Sequence, residues 1–158
     1  MKTLFLTIAV LCFILASASS GLGQEAPKKD FSGSLTYDVV RVVDGDTVVL
    51  KMDDKEVKVR LIGVDTPETV HPTKQVEKFG KEASAFLTNL LKGEKVYIEY
   101  EKDKSFGEDP DKPETDKYDR TLAYLYRSPD GLFINLEIIK HGYGHAYTKY
   151  PFKRMEEF

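Results

Sequence analysis

The order of patterns along the chain predicts an α+β domain dominated by β: a five-stranded Greek-key barrel of the OB type with two to three helices packed outside it. Three observations carry this expectation. Three β-rich runs crowd together between Tyr37 and Val64, an apolar stripe at three-and-four spacing follows, and two further β-rich runs precede a second short helix. With 158 residues there is room for one core and not for two, so a single domain is placed at 35–158.

The first residues stand apart from that domain. Met1-Lys2 precede an apolar run from Leu4 to Leu15, and Ala16-Ser17-Ala18-Ser19-Ser20 follow. This is the pattern of a secretory signal, assigned to 1–18 with cleavage near Ala18. A retained membrane anchor is the competing reading. It is disfavoured because the run falls short of the roughly 20 apolar residues a span needs and no basic cluster flanks its far end. The single cysteine, Cys12, lies inside the run and is a poor match to a lipoprotein box, so the mature chain is expected to contain no disulfide. Residues 19–34, with Gly, Gln, Pro and Lys and no apolar period, read as a flexible leader.

Within the domain, Tyr37 to Val43, Thr47 to Met52 and Glu56 to Val64 form an expected meander, punctuated by Asp44-Gly45-Asp46 and Asp53-Asp54-Lys55. In the third run Val57, Val59 and Leu61 share one face, so Lys58 and Arg60 leave the core side. From Val76 the apolar residues Phe79, Ala83, Phe86, Leu87 and Leu90 mark a helix that Gly93 ends. Lys95 to Lys102 and Arg120 to Arg127 supply strands four and five. The Pro-containing acidic stretch Asp103 to Glu114 between them reads as a solvated surface loop. A second helix is expected at about Asn135 to His141, and Pro151 opens a possible third.

Charge argues against a generally basic nucleic-acid-binding surface. The net charge is −3, and loss of 1–18 removes only Lys2, leaving 22 basic against 26 acidic side chains. Any phosphate chemistry must therefore rest on a local site or a bound cation. Two acidic corners offer one: Asp44-Gly45-Asp46-Thr47, and Asp65-Thr66-Pro67-Glu68-Thr69 where the third strand gives way to the helix. Hard oxygen ligands at strand ends suit calcium or magnesium. Each corner taken singly also reads as ordinary turn and helix-start chemistry, and the first fails as an EF-hand loop. His71, His141 and His145 lack zinc-ligand spacing and read as surface or structural residues.

The corners gain meaning together with Val59-Arg60-Leu61 and Thr115-Asp116-Lys117-Tyr118-Asp119-Arg120. The stretches Val43 to Val48, Arg60 to Thr69, Val76 to Gly80 and Thr115 to Tyr126 closely resemble the staphylococcal nuclease (thermonuclease) family, over about Tyr37 to Tyr150. The resemblance implies a calcium-dependent nuclease that hydrolyses DNA and RNA to 3′-phosphate ends, exported to the periplasm or the medium, monomeric, and not held at a membrane once the signal is gone. By position it implies Asp46, Asp65 and the Thr66 carbonyl as Ca2+ ligands, and Arg60, Arg120 and Glu68 as catalytic residues. Lys117 and Tyr118 match contacts to a terminal phosphate, and Tyr147 and Tyr150, with Tyr143 nearby, match tyrosines that stack on a base, although core packing is an equal alternative for any one of them.

Three departures accompany the resemblance: the acidic stretch Asp103 to Glu114 is longer than in the prototype, Asp119 replaces a glycine, and Phe152 to Phe158 matches only the start of a covering C-terminal helix. Two readings from other classes stand beside the enzyme. A noncatalytic OB-fold module binding nucleic acid or protein conflicts with the presence of every charged site residue. An exported calcium-binding structural protein gives Arg60 and Arg120 no purpose.

Overall fold

The computed structural model describes residues 29, 31–69, 77–101, 113–128 and 130–158. The signal 1–18, residues 19–28 and 30 of the leader, His71, Val76 and most of the acidic stretch lie outside the described residues.

Strands β1 (Tyr37–Asp44), β2 (Thr47–Met52) and β3 (Lys55–Leu61) form the expected antiparallel meander. β4 (Val64–Asp65) is a separate short strand, α1 spans Gly80–Leu91, β5 Lys95–Glu99 and β6 Thr121–Ser128. β7 (Leu132–Phe133), α2 (Ile134–Lys140), β8 (His145–Ala146) and a 3₁₀ turn at Met155–Glu157 complete the order. The sheet runs β3-β2-β1-β5-β6-β7, and a parallel β3–β6 pairing closes β1, β2, β3, β5 and β6 into the five-stranded barrel that the sequence predicts.

Alternation explains the core. Val48, Leu50, Val59, Leu61, Val96 and Leu125 turn inward and are essentially inaccessible, while Leu87 and Leu91 of α1 and Ile134 and Ile138 of α2 close the barrel from outside. Asn135 is also fully buried, and its amide is used on both sides. Its Oδ1 accepts from Leu125 N at 2.9 Å and its Nδ2 donates to Ile62 O at 2.9 Å, which ties α2 to the place where β3 and β6 diverge.

Several boundaries differ from the sequence expectation. The third run does not continue to Val64. It turns at Ile62-Gly63 and resumes as β4, which pairs with β8 instead of with β2. The helix begins at Gly80, because Phe79 takes a left-handed conformation (φ +71°) that a helix cannot contain. Strand four ends at Glu99, three residues early, and the segment after Pro151 forms one 3₁₀ turn. Of the expected leader, Lys29 pairs with Glu99 and Phe31 stacks on Tyr97 with centroids 4.3 Å apart.

Candidate active site

Strand register assembles the site. The parallel pairing places Val59 opposite Thr121 and Arg60 opposite Leu122, which brings Arg60 and Arg120 to the same end of the barrel. The β2–β3 ladder places Thr47 opposite Arg60, so the Asp46 corner sits beside the same arginine. Across β4 and β8, Asp65 lies opposite His145.

Asp46 is buried, at 5 % exposure. Its Oδ1 accepts from Thr47 Oγ1 at 2.9 Å, and its Oδ2 accepts from both Thr66 N and Thr66 Oγ1 at 3.1 Å. Arg60 bridges the two corners, pairing with Asp46 through Nη1 and with Asp65 Oδ1 through Nη2 at 3.1 Å. Burial lowers the pKa of the Arg60 guanidinium, and the charge of Arg120 lowers it further, while Asp65 pulls the other way. The arginine stays charged, because its ordinary value lies far above neutrality. Two like charges close enough to perturb each other are costly unless an anion lies between or beside them.

Arg120 is held by a residue outside the expected site. Asp116 Oδ2 accepts from Arg120 Nε at 2.7 Å and from Nη2 at 2.6 Å, and its Oδ1 accepts from the backbone N–H groups of Tyr118 and Arg120 at 2.9 and 3.0 Å. Burial works to raise the Asp116 pKa, but the hydrogen bonds from Arg120 and the backbone outweigh it, so the carboxyl titrates below its ordinary range. Asp119 closes this tight turn at φ +58°, with its N–H on Asp116 O at 3.0 Å. A glycine takes that conformation without strain, and Asp tolerates it better than most residues.

A cleft of about 620 Å³ opens over this end of the barrel. Arg60, Asp65 and Arg120 line it from one side, with Lys117 and Tyr118 on the turn beside them; Tyr147, Tyr150 and Phe152 form the far wall. Tyr118 is 64 % exposed, and its ring carries Lys117 Nζ at 4.9 Å and Arg120 Cζ at 5.3 Å. Tyr147 and Tyr150 stand 6.2 Å apart. Tyr143 is elsewhere, stacked on Phe86 of α1 at 4.3 Å and packed against the core. Asp46, Thr66 and Glu68 are not among the residues that line the cleft. Glu68 is anchored through its backbone, its N–H donating to Glu77 Oε2 at 3.1 Å and its carbonyl accepting from Glu77 N at 2.9 Å.

Asp44, in the first corner, is a second residue that sequence reasoning passed over. Its Oδ1 accepts from Gly45 N at 2.9 Å, Thr69 Oγ1 at 2.8 Å and Ser84 Oγ at 3.4 Å, and its Oδ2 from Thr69 N at 3.3 Å. It staples both corners to α1. Gly45 makes the staple possible, since a Cβ there would come within 2.7 Å of Ala83 Cβ and Thr66 Oγ1. Gly144 does the same from the other side, where a Cβ would meet Asp65 O at 2.9 Å.

The donor set suits a hard cation. Asp46 and Asp65 each turn an oxygen toward one shared guanidinium, so their carboxylates converge on a single positive centre, and Thr66 adjoins both. Among the described residues no cluster of three or more His, Cys, Asp or Glu side chains forms a metal site, so two carboxylates and backbone oxygen are what this corner offers.

The fold is a β-barrel of OB type that brings two arginines and two carboxylates to one end. A sequence model described as staphylococcal nuclease homologue matches residues 58–158. The chain is 41 % identical over 122 residues to the thermonuclease of Staphylococcus hyicus, covering 77 % of this chain and 65 % of that protein. It is 38 % identical over 143 residues to the thermonuclease of Staphylococcus intermedius, covering 90 % and 77 %. Over 127 residues it is 33 % identical to Endonuclease YhcR of Bacillus subtilis, of which it spans 10 %. The chain belongs to the staphylococcal nuclease family.

Proposed function

We propose that the protein is an exported calcium-dependent nuclease that hydrolyses phosphodiester bonds of DNA and RNA and leaves 3′-phosphate ends. One observation carries this reading: Arg60 and Arg120 stand close enough to perturb each other, beside a carboxylate pair, on the wall of one open cleft. A phosphodiester is the anion whose transition state gains charge at equatorial oxygens, and fixed guanidiniums stabilise that charge without reorganisation.

In this reading Arg60 and Arg120 grip the phosphate and hold the developing charge. Glu68 accepts the proton of the attacking water or orients it, as the 5′-oxygen departs in line. Asp46, Asp65 and the Thr66 carbonyl would hold Ca2+, which when bound would supply Lewis acidity. Lys117 and Tyr118 receive the terminal phosphate, and Tyr147 and Tyr150 stack on a base, which needs no particular sequence. Residues 1–18 direct export.

The test is hydrolysis of single-stranded DNA and of RNA by the protein lacking 1–18, with calcium, with chelator, and with Arg60→Ala or Arg120→Ala. Losses of about 100- to 1000-fold in kcat are expected for either variant, the range for removing one preorganised donor. Cleavage surviving in chelator removes calcium from the account. A folded wild type that binds nucleic acid without cutting it replaces the enzyme with a binding module.

A further inference from the structure

Lys78 and Phe79 form a solvent-facing pair that neither the core nor the cleft uses. Phe79 is 58 % exposed and sits at φ +71°, a backbone conformation that bulky side chains rarely adopt. Lys78 Nζ lies 4.8 Å from the centre of its ring. An exposed aromatic with a cation on its face is a surface for a flat, anionic ligand.

The pair is locked in place next to the site. Gly80, immediately after Phe79, lies against Pro67 and Glu68 so closely that a Cβ would come within 2.9 Å of Pro67 O and 3.1 Å of Glu68 O. On the other side, Glu77 and Glu68 exchange two hydrogen bonds through Glu77 N and Oε2. Glu68 in turn follows Asp65 by three residues, at most about 10 Å of chain. Asp65 lines the cleft, and Pro67 and Glu68 abut Gly80, so the 65–69 corner runs from the cleft to the start of α1, the residue after Phe79.

We propose that Lys78 and Phe79 form a second nucleotide subsite. The ring stacks on a base of single-stranded DNA or RNA that continues past the cleft over Thr66 to Thr69, and the Lys78 ammonium meets that nucleotide's phosphate. The proposal rests on the nuclease reading of the cleft. An OB-type barrel that binds a single strand engages several nucleotides, more than one tyrosine-walled cleft accommodates. Stacking also tolerates any base, as a nuclease without sequence preference requires.

The test is fluorescence anisotropy with a labelled single-stranded DNA of about ten nucleotides and with a labelled mononucleotide, in chelator so that nothing is cut. Phe79→Gly is the principal variant, because glycine accepts φ +71° and removes the ring without straining the fold. It is expected to weaken the oligonucleotide by about 5- to 100-fold, the effect of losing one stacked base, and to leave the mononucleotide within about twofold. Phe79→Trp is expected to restore affinity, and Lys78→Ala to reduce the salt dependence by about one phosphate contact. Equal oligonucleotide affinity in wild type and Phe79→Gly overturns the subsite while leaving the nuclease reading intact. A wild type that binds neither probe in chelator, and cuts nothing with calcium, overturns both.

Discussion

At residue scale, the side chains proposed to do chemistry are aimed by side chains given no part in it. Asp116 holds both the Nε edge of Arg120 and the turn that carries it, and Asp44 holds the loop from Thr66 to Thr69 against α1. The role of Asp44 follows from contacts that span up to 40 positions in sequence, which no local pattern announces, whereas Asp116 acts within its own turn, on residues two and four positions away. Arg60 differs, because strand alternation alone places it off the core face and the structure keeps it there. Truncating Asp44 to Ala leaves several donors buried without an acceptor and is expected to lower stability by about 2 kcal/mol, read by chemical denaturation. Asp119 allows a finer test. Asparagine keeps its tolerance of φ +58° and removes an exposed carboxylate next to Arg120. Asp119→Asn is expected to lower KM for a polyanionic substrate by less than about threefold with kcat unchanged, an effect that fades at high salt. An equal change at every salt concentration would point to the turn's geometry in place of its charge.

At element scale, periodicity made the strands and helices legible, but their ends depended on events that periodicity does not record. Ile62-Gly63-Val64 continues an apolar run, and only the exchange of partners from β2 to β8 shows that the strand breaks there. The apolar stripe of α1 likewise extends back to Val76 in the sequence, yet the helix starts only at Gly80 because Phe79 is left-handed. The two acidic corners were visible as motifs, and their union was not. What unites them is close approach: Gly45 lets the β1–β2 corner touch Ala83 of α1 and Thr66 at once. Gly45→Ala puts a methyl where there is no room, and the expected cost is about 1–3 kcal/mol of stability. Displacement of Thr66 should also loosen Asp46, whose Oδ2 depends on it. On the proposed calcium reading, affinity measured by titration calorimetry is expected to fall, whereas an unchanged affinity with lowered stability would separate the packing role from the proposed metal corner.

At the scale of the whole molecule, barrel closure is what turns distant motifs into one site, and a second set of polar contacts ties the C-terminal segment to the barrel beside the cleft, which Glu101 helps to line. Parallel β3–β6 pairing was implicit in the OB topology and put Arg60 and Arg120 together, although 60 residues separate them in sequence. The C-terminal segment is fastened by Glu99 and Glu101. Glu101 accepts from Tyr124 Oη and from Lys153 N, while Glu99 pairs with Lys29 and with Arg154 Nη2 at 3.0 Å. Arg154 also lies over the rings of Tyr124, Tyr126 and Phe133. Burial works to raise the Glu99 pKa, but hydrogen bonds from Lys29 and Tyr126 and the charges of Lys29 and Arg154 outweigh it and hold the carboxyl below its ordinary 4.5. A carboxyl depressed on folding stabilises the native state above its unfolded value and loses that contribution as pH falls through the folded value. Glu99→Gln should therefore lower Tm by its full amount above the unfolded value of 4.5, and the gap to wild type should close as the pH falls below it. Asp116→Asn should show the same closing gap below its unfolded value of 3.8. Thermal melts across that range decide the matter: a gap that stays constant with pH means that these residues act through shape and hydrogen bonding, and that the ionised carboxylate is not what clasps the barrel shut.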